Sequence, residues 1–297
     1  MKKTFLLAFL ILPLLLNAQG RMDKKLQKKI AALVKGYHGE IGIYVKDLRN
    51  GRQVKIAADT IFPTASIVKI PIMLGIMDRI NKGELDYDSS FIYKDSLFYA
   101  GSDILGSFKE NASISLKKLI MLMLTTSDNT ASLWLQSLGG TGTKINELLA
   151  GLGLENTRIN SRTPGREGYR AIYQWGMTTP FEMGSLLEKI YRKQIFTPAL
   201  CDRMLRCLGR NFWDENEGIS QIPPTIEVFS KNGCVDASRS EVMIVNAPHH
   251  PYLFCIFTKK NTDTSWGRDN EAWALTRKIS ALLWEYHEPH YKAQFSN

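Results

Sequence analysis

Beyond residue 19 the sequence has no apolar run of the about 20 residues that a bilayer span requires. Its 4 cysteines include no CxxC pair, which excludes a zinc ribbon and a thioredoxin-type redox motif. No G-x-S-x-G, H-E-x-x-H or phosphate-cradling Gly-rich loop occurs in it. Low-complexity tracts, Pro/Gly/Ser-rich linkers and internal repeats are also missing, so nothing divides the chain into separate units or a solenoid. Basic residues are not interleaved with aromatics in the manner of a nucleic-acid surface, and no nucleic-acid partner is expected. Only 5 histidines are present. The pairs His249-His250 and His287-x-x-His290 fall in a turn and near the chain end, where surface histidines are ordinary. No metal and no cofactor is expected.

What is present is a globular composition, 44% apolar and 23% charged over 297 residues. That length buries a substantial core in one body, expected to be monomeric. The first residues read differently. Met1-Lys2-Lys3 is basic, Phe5 to Leu16 is almost unbrokenly apolar, and Asn17-Ala18-Gln19-Gly20 is small and polar. This is the layout of a secretory signal peptide cut after Ala18. Residues 1–18 are therefore expected to be removed and residues 19–297 exported, periplasmic or secreted, with no stable membrane insertion. Losing Lys2 and Lys3 takes the formal charge from +9 to +7. Much of the excess, in Lys24, Lys25, Lys28, Lys29 and Lys35, fits the solvated face of a helix. Cys201 and Cys207 fall on different faces of one helical stretch, and Cys234 and Cys255 in separate strand-like runs that could pair only in the right register; buried, unpaired thiols are the expectation.

Leu26, Ile30, Leu33 and Val34 recur at helical spacing and predict a first helix over 22–35. Strand-like runs at 40–45 and 53–56 flank Asn50-Gly51, a hairpin signal. From Phe62 to about Leu208 the pattern is helical, with segments at 66–82, 115–125, 129–138, 143–152 and 180–193. Strand character returns at 225–229, 241–245 and 252–258, and a last helix is expected over 269–286. The fold class is therefore α+β: an antiparallel five-stranded sheet flanked by N- and C-terminal helices, with an all-helical second lobe. The sheet lobe is expected from about 19–62 and 209–297, the helical lobe from about 63–208, with a ligand site between them.

Three short motifs carry the chemistry. Ser66-Ile67-Val68-Lys69 stands where a helical pattern begins, and a spacing of three puts both side chains on one face. A serine hydroxyl needs a neighbour to take its proton before it is a good nucleophile, and an amine at that distance qualifies. Thr126-Ser127-Asp128-Asn129 lies between two helical segments, where its residue types suit a helix cap and present Ser127 and Asn129 to a cleft. Lys231-Asn232-Gly233-Cys234 follows a strand-like run; its glycine permits close approach of a substrate, and the Cys234 N–H suits an oxyanion.

In this order and at these separations the three motifs resemble the S-x-x-K, S-D-N and K-T-G set of the class A β-lactamases and related penicillin-recognising enzymes. Gly101-Ser102-Asp103-Ile104-Leu105-Gly106, Thr178-Thr179-Pro180 and Arg239-Ser240-Glu241-Val242 extend the resemblance over nearly all of the mature chain. It implies a serine hydrolase that opens β-lactam rings through a Ser66 acyl-enzyme. Lys69 would remove the proton as an amine whose pKa is depressed by burial and by Lys231, and Ser127 would relay it to the departing nitrogen. Asn129 would bind the substrate's side-chain amide, and Lys231 with Asn232 its carboxylate, helped by Arg239. The N–H groups of Ser66 and Cys234, beside Gly233, would form the oxyanion hole. Two departures stand out. Asn232 replaces the usual hydroxyl, and Thr163 occupies the position of the Glu that activates the deacylating water, with Glu167 four residues on as a substitute. A cell-wall D-alanyl-D-alanine peptidase or transpeptidase, and a penicillin-binding sensor that acylates without efficient turnover, are the alternative expectations.

Overall fold

A computed structural model describes residues 20–291. The expected signal peptide lies outside the described residues. Among them no helix is long and apolar enough to cross a membrane.

In chain order the elements are α1 (Lys24–Val34), β1 (Glu40–Asp47), β2 (Gln53–Ile56), β3 (Phe62–Pro63), α2 (Lys69–Asn81), β4 (Ser90–Ile92) and β5 (Ser113–Ser115). Then follow α3 (Leu116–Met121), α4 (Asn129–Leu138), α5 (Thr141–Gly151), β6 (Arg158–Ile159), α6 (Glu167–Tyr173), β7 (Gly176–Thr178), α7 (Pro180–Tyr191) and α8 (Pro198–Leu208). The chain closes with β8 (Val228–Val235), β9 (Ser238–Val245), β10 (Tyr252–Lys259) and α9 (Glu271–His287). Helix starts follow capping chemistry, in which a side-chain oxygen takes up an otherwise unpaired backbone N–H. Asp23 accepts from Leu26 N, Asp128 from Ala131 N, and Thr179 from Glu182 N ahead of Pro180. Asn270 caps α9 in the same way.

The main sheet has five antiparallel strands in the order β2-β1-β10-β9-β8, as the α+β reading requires. Strand alternation sorts its side chains between two cores. Val242, Ile244, Leu253, Cys255 and Phe257 face the helices of the second lobe. Met243, Val245, Tyr252, Phe254 and Ile256 face Leu26 and Ile30 of α1 and Leu275, Ile279 and Leu283 of α9. Each fully buried Ile, Leu or Phe contributes roughly 1.5–3 kcal/mol relative to its exposed state. Helix α7 crosses the second-lobe face closely: a Cβ on Gly184 would stand 2.5 Å from the Tyr44 ring.

The second lobe is helical but carries two short sheets, β4-β5 and β3-β7-β6, the second of which links Phe62–Pro63 to Thr178 and Met177. The strand expected over 225–229 is displaced to 228–235, because the polar residues Ser230, Lys231 and Asn232 pair with β9 along their whole length. The segment after Ile159 contains α6, which has no buried residue and so shows no apolar periodicity. All 4 cysteines are free thiols. Cys234 on β8 and Cys255 on β10 are separated by the intervening β9, about 10 Å, beyond disulfide reach.

Candidate active site

Ser66 stands in a 3-10 turn, Ala65–Val68, that runs directly into α2. Ala65 has a φ of 44°, a left-handed conformation that costs a non-glycine residue of order 1 kcal/mol and turns the chain sharply just before the hydroxyl. Ser127 has the same backbone handedness at φ 64°, after the wide π-type turn Leu122–Thr126 that ends α3. Such turns and such strain cluster at functional sites. Asp128 holds the second motif in place: one carboxylate oxygen caps α4 and the other accepts from Ile104 N at 2.6 Å and Leu105 N at 2.8 Å. Asn129 N in turn donates to Ser102 O at 2.7 Å, so the Gly101–Gly106 stretch is laced to this motif.

The two motifs meet at Lys69, which is fully buried. Its Nζ lies 2.9 Å from Ser66 Oγ, 3.0 Å from Ser127 Oγ, 2.6 Å from Ser127 O and 3.0 Å from Asn129 Oδ1. A neutral amine has two hydrogens to give and one lone pair, so among these four oxygens a hydroxyl of Ser66 or Ser127 can donate to its nitrogen. Burial, reinforced by the Lys231 charge, holds the Lys69 amine well below its ordinary pKa. That combination favours the uncharged amine beside a serine hydroxyl.

Strand β8 is the outer strand of the sheet and brings the third motif to the Ser66 turn. A Cβ on Gly233 would lie 2.7 Å from Thr64 O and 2.9 Å from Ser66 N, so only glycine lets strand and turn approach this closely. Lys231 is fully buried and donates to Asn232 O at 2.9 Å and Asn232 Oδ1 at 3.3 Å. Burial lowers its pKa to about 8, against the opposing pull of Glu217 and Glu241. One of the two Asn232 amide hydrogens is committed: its Nδ2 donates to Glu217 Oε1 at 2.7 Å. The Cys234 thiol is pushed up by burial and is no ready nucleophile.

Arg239 departs from expectation. It is fully buried, its guanidinium donates to the carbonyls of Val235, Asp236, Ser238, Thr264 and Ser265, and it lies 4.4 Å from the Trp266 ring. Its two terminal nitrogens are committed to closing the β8–β9 turn and the 264–265 loop, so it is not a free anion clamp. Thr163 is buried against α5. Its Oγ1 donates to Ser161 O at 2.9 Å and abuts the α5 backbone, where a Cβ on Gly142 would come within 1.8 Å of it. Glu167 opens α6, is exposed, and accepts from Gly165 N at 3.2 Å. The oxygens that Lys69 touches belong to Ser66, Ser127 and Asn129 and include no carboxylate.

Three acidic residues to which motif reading assigns no role support the site. Glu182 takes up Asn156 N, Asn156 Nδ2, Thr157 N and Thr157 Oγ1, fixing the start of the 156–176 loop. The pattern Thr179-x-x-Glu182 resembles a capping box, but here the Glu reaches across to the loop. Glu241, fully buried on β9, accepts from Gly218 N at 2.6 Å and Ile219 N at 3.2 Å. Burial and the neighbouring Glu217 push its carboxyl up to about 8. A charged residue inside the run Glu241-Val242-Met243-Ile244-Val245 was the available signal. Glu217 itself lies in a polar loop with no such marker.

The five-stranded sheet, its covering terminal helices and the second lobe define the fold shared by β-lactamases and penicillin-binding proteins. PBP-A aligns with a TM-score of 0.80 at 23% identity, covering 91% of this chain and 98% of its own. A β-lactamase of Chitinophaga pinensis aligns at 0.79 and 19% identity, over 88% of this chain and 99% of that one. The family model described as the beta-lactamase enzyme family matches residues 25–287, and the chain belongs to that family. In sequence it is 22% identical to β-lactamase VEB-1 of Pseudomonas aeruginosa over 96% of this chain and 98% of that one.

Proposed function

We propose that the chain is an exported serine hydrolase of the class A type that opens β-lactams through an acyl-enzyme on Ser66. The observation carrying this reading is the Lys69 amine held within 3.0 Å of both the Ser66 and the Ser127 hydroxyls. Neutral Lys69 takes the Ser66 proton as Oγ bonds to the lactam carbonyl carbon. The carbonyl oxygen gains charge opposite the N–H groups of Ser66 and Cys234. The C–N bond then breaks, Ser127 gives its proton to the departing nitrogen, and Lys69 restores it. Lys231 holds the substrate carboxylate, with Asn232 fixed beside it by Glu217. Asn129 contacts the acyl side chain. Export rests on the layout of residues 1–18.

A second reading is favoured by one observation: Thr163 faces α5 and Glu167 faces solvent, so neither carries a carboxylate to a water at Ser66. An acyl-enzyme here would persist, as suits a cell-wall D-alanyl-D-alanine peptidase or a penicillin-binding sensor. A variant of the structural relative PBP-A is known as its acyl-enzyme complex with penicillin G. The deciding experiment follows the purified protein with a chromogenic cephalosporin and, separately, with a peptide ending in D-Ala-D-Ala. Repeated cephalosporin turnover, lost in Ser66→Ala, supports the first reading. Release of D-alanine with at most one equivalent of cephalosporin consumed supports the second.

A further inference from the structure

On the face of the sheet covered by the terminal helices, three ligand-type side chains from distant parts of the sequence converge. Asp47 ends β1, His250 lies in the turn between β9 and β10, and His287 ends α9. One oxygen or nitrogen from each lies within 4.8 Å of the other two. His250 Nδ1 is 2.9 Å and His287 Nδ1 3.8 Å from the same oxygen, Asp47 Oδ2. Two ligands held at tetrahedral angles around zinc stand about 3.3 Å apart, between these two separations. His287 is no surface histidine: it is 5% exposed and, among the described residues, its Nε2 has no hydrogen-bond partner and its Nδ1 stops short of bonding Asp47. The Nδ1 side of this buried ring, which falls short of the Asp47 carboxylate, leaves a gap that an ion bonded to both would close.

We propose that Asp47, His250 and His287 form a binding site for a divalent first-row transition-metal ion of the zinc type. The ligands are oriented by a surrounding shell, as metal ligands usually are. The Asp47 carboxylate accepts from Arg49 N, Asn50 N and Asn50 Nδ2. Glu288 accepts the backbone N–H groups of His249 at 2.7 Å and His250 at 3.1 Å, fixing the turn that carries His250. The His287 ring stacks on Tyr252 with centroids 4.5 Å apart and 14° between planes. A surface cavity of about 500 Å³ is lined by all three ligands, with Asp23, Lys29 and Arg52 also on its wall, so an ion could reach them from solvent. His250 would exchange its Nδ1 hydrogen bond to Asp47 for the metal and carry its proton on Nε2. The ion would join the first hairpin, the β9–β10 turn and the end of α9, so it stabilises the sheet lobe without touching Ser66.

The test uses tag-free mature protein stripped with a chelator. Calorimetric titration with zinc chloride is expected to show a single ion bound per chain and a raised melting temperature. Co(II) in its place is expected to give the intense visible absorption of a four-coordinate site. His250→Ala removes a half-exposed side chain and is expected to weaken zinc binding roughly tenfold or more. His249→Ala, whose ring pairs with Glu288 instead, is expected to retain binding. Absence of stoichiometric zinc binding by the unaltered chain, a six-coordinate cobalt spectrum, or binding unchanged in His250→Ala would overturn the proposal. The cobalt spectrum decides even if a variant fails to fold.

Discussion

Replacing Gly233 by alanine tests how closely the third motif must approach the nucleophile. The new Cβ would stand 2.7 Å from Thr64 O, 2.9 Å from Ser66 N and 3.1 Å from Ile67 N. All three are backbone atoms, so no side-chain rotation relieves the contact. Ordinary contact begins at 3.4 Å, so β8 and the Ser66 turn must part by about 0.7 Å. Crowding of this kind costs roughly 1–3 kcal/mol of stability. A displacement of about 1 Å in reacting groups costs on the order of 100-fold in rate. Gly233→Ala is therefore expected to slow acylation by roughly 10- to 100-fold and to lower the melting temperature modestly. The assay is the rate of covalent labelling by benzylpenicillin, read by quenched intact-mass measurement alongside a thermal melt. Gly168→Ala is the control: in α6 a Cβ there meets nothing within 4 Å, and its labelling rate should match the parent. A Gly233→Ala protein that labels at the parent rate would refute the close-approach argument.

Lys69→Met is expected to reduce acylation by roughly 10²- to 10⁴-fold, and in the parent the labelling rate should fall as acid protonates the depressed Lys69 amine. Stopped-flow labelling across a pH series reads both effects. Glu241 holds its proton up to about pH 8 when folded but only to its ordinary value of 4.5 when unfolded, so its contribution to stability is lost as pH rises through that interval. Glu241→Gln should flatten that decline, as measured by urea unfolding at several pH values. Thr163→Glu should not create fast β-lactam turnover, because position 163 faces the α5 backbone at Gly142; steady-state hydrolysis of a chromogenic cephalosporin checks it.

Much of this was legible in the sequence because apolar spacing and chemistry-bearing motifs are local signals. The Ser66–Lys69 spacing, the Ser127 and Asn129 cap cluster and the Lys231–Gly233 strand meet as their order implied. What escaped depends on contacts far apart in the chain. Arg239 looks like a free cation until the 264–265 carbonyls are seen around it. His287 looks exposed near a chain end, yet Tyr252 and Asp47, from two other strands, bury it. Asn232 reads as a substrate ligand, and nothing in its sequence announces that Glu217 from a featureless loop takes one of its amide hydrogens. Helix α6 lacks an apolar face and so lacks a pattern.

The central claim is that Ser66 is the residue acylated. Purified protein is mixed with equimolar benzylpenicillin, quenched in acid, weighed intact and then digested to locate the adduct. A mass gain of one intact penicillin on the peptide that contains Ser66, absent in Ser66→Ala, is the predicted result. No adduct and no turnover at any time, or an adduct on another residue, would contradict it.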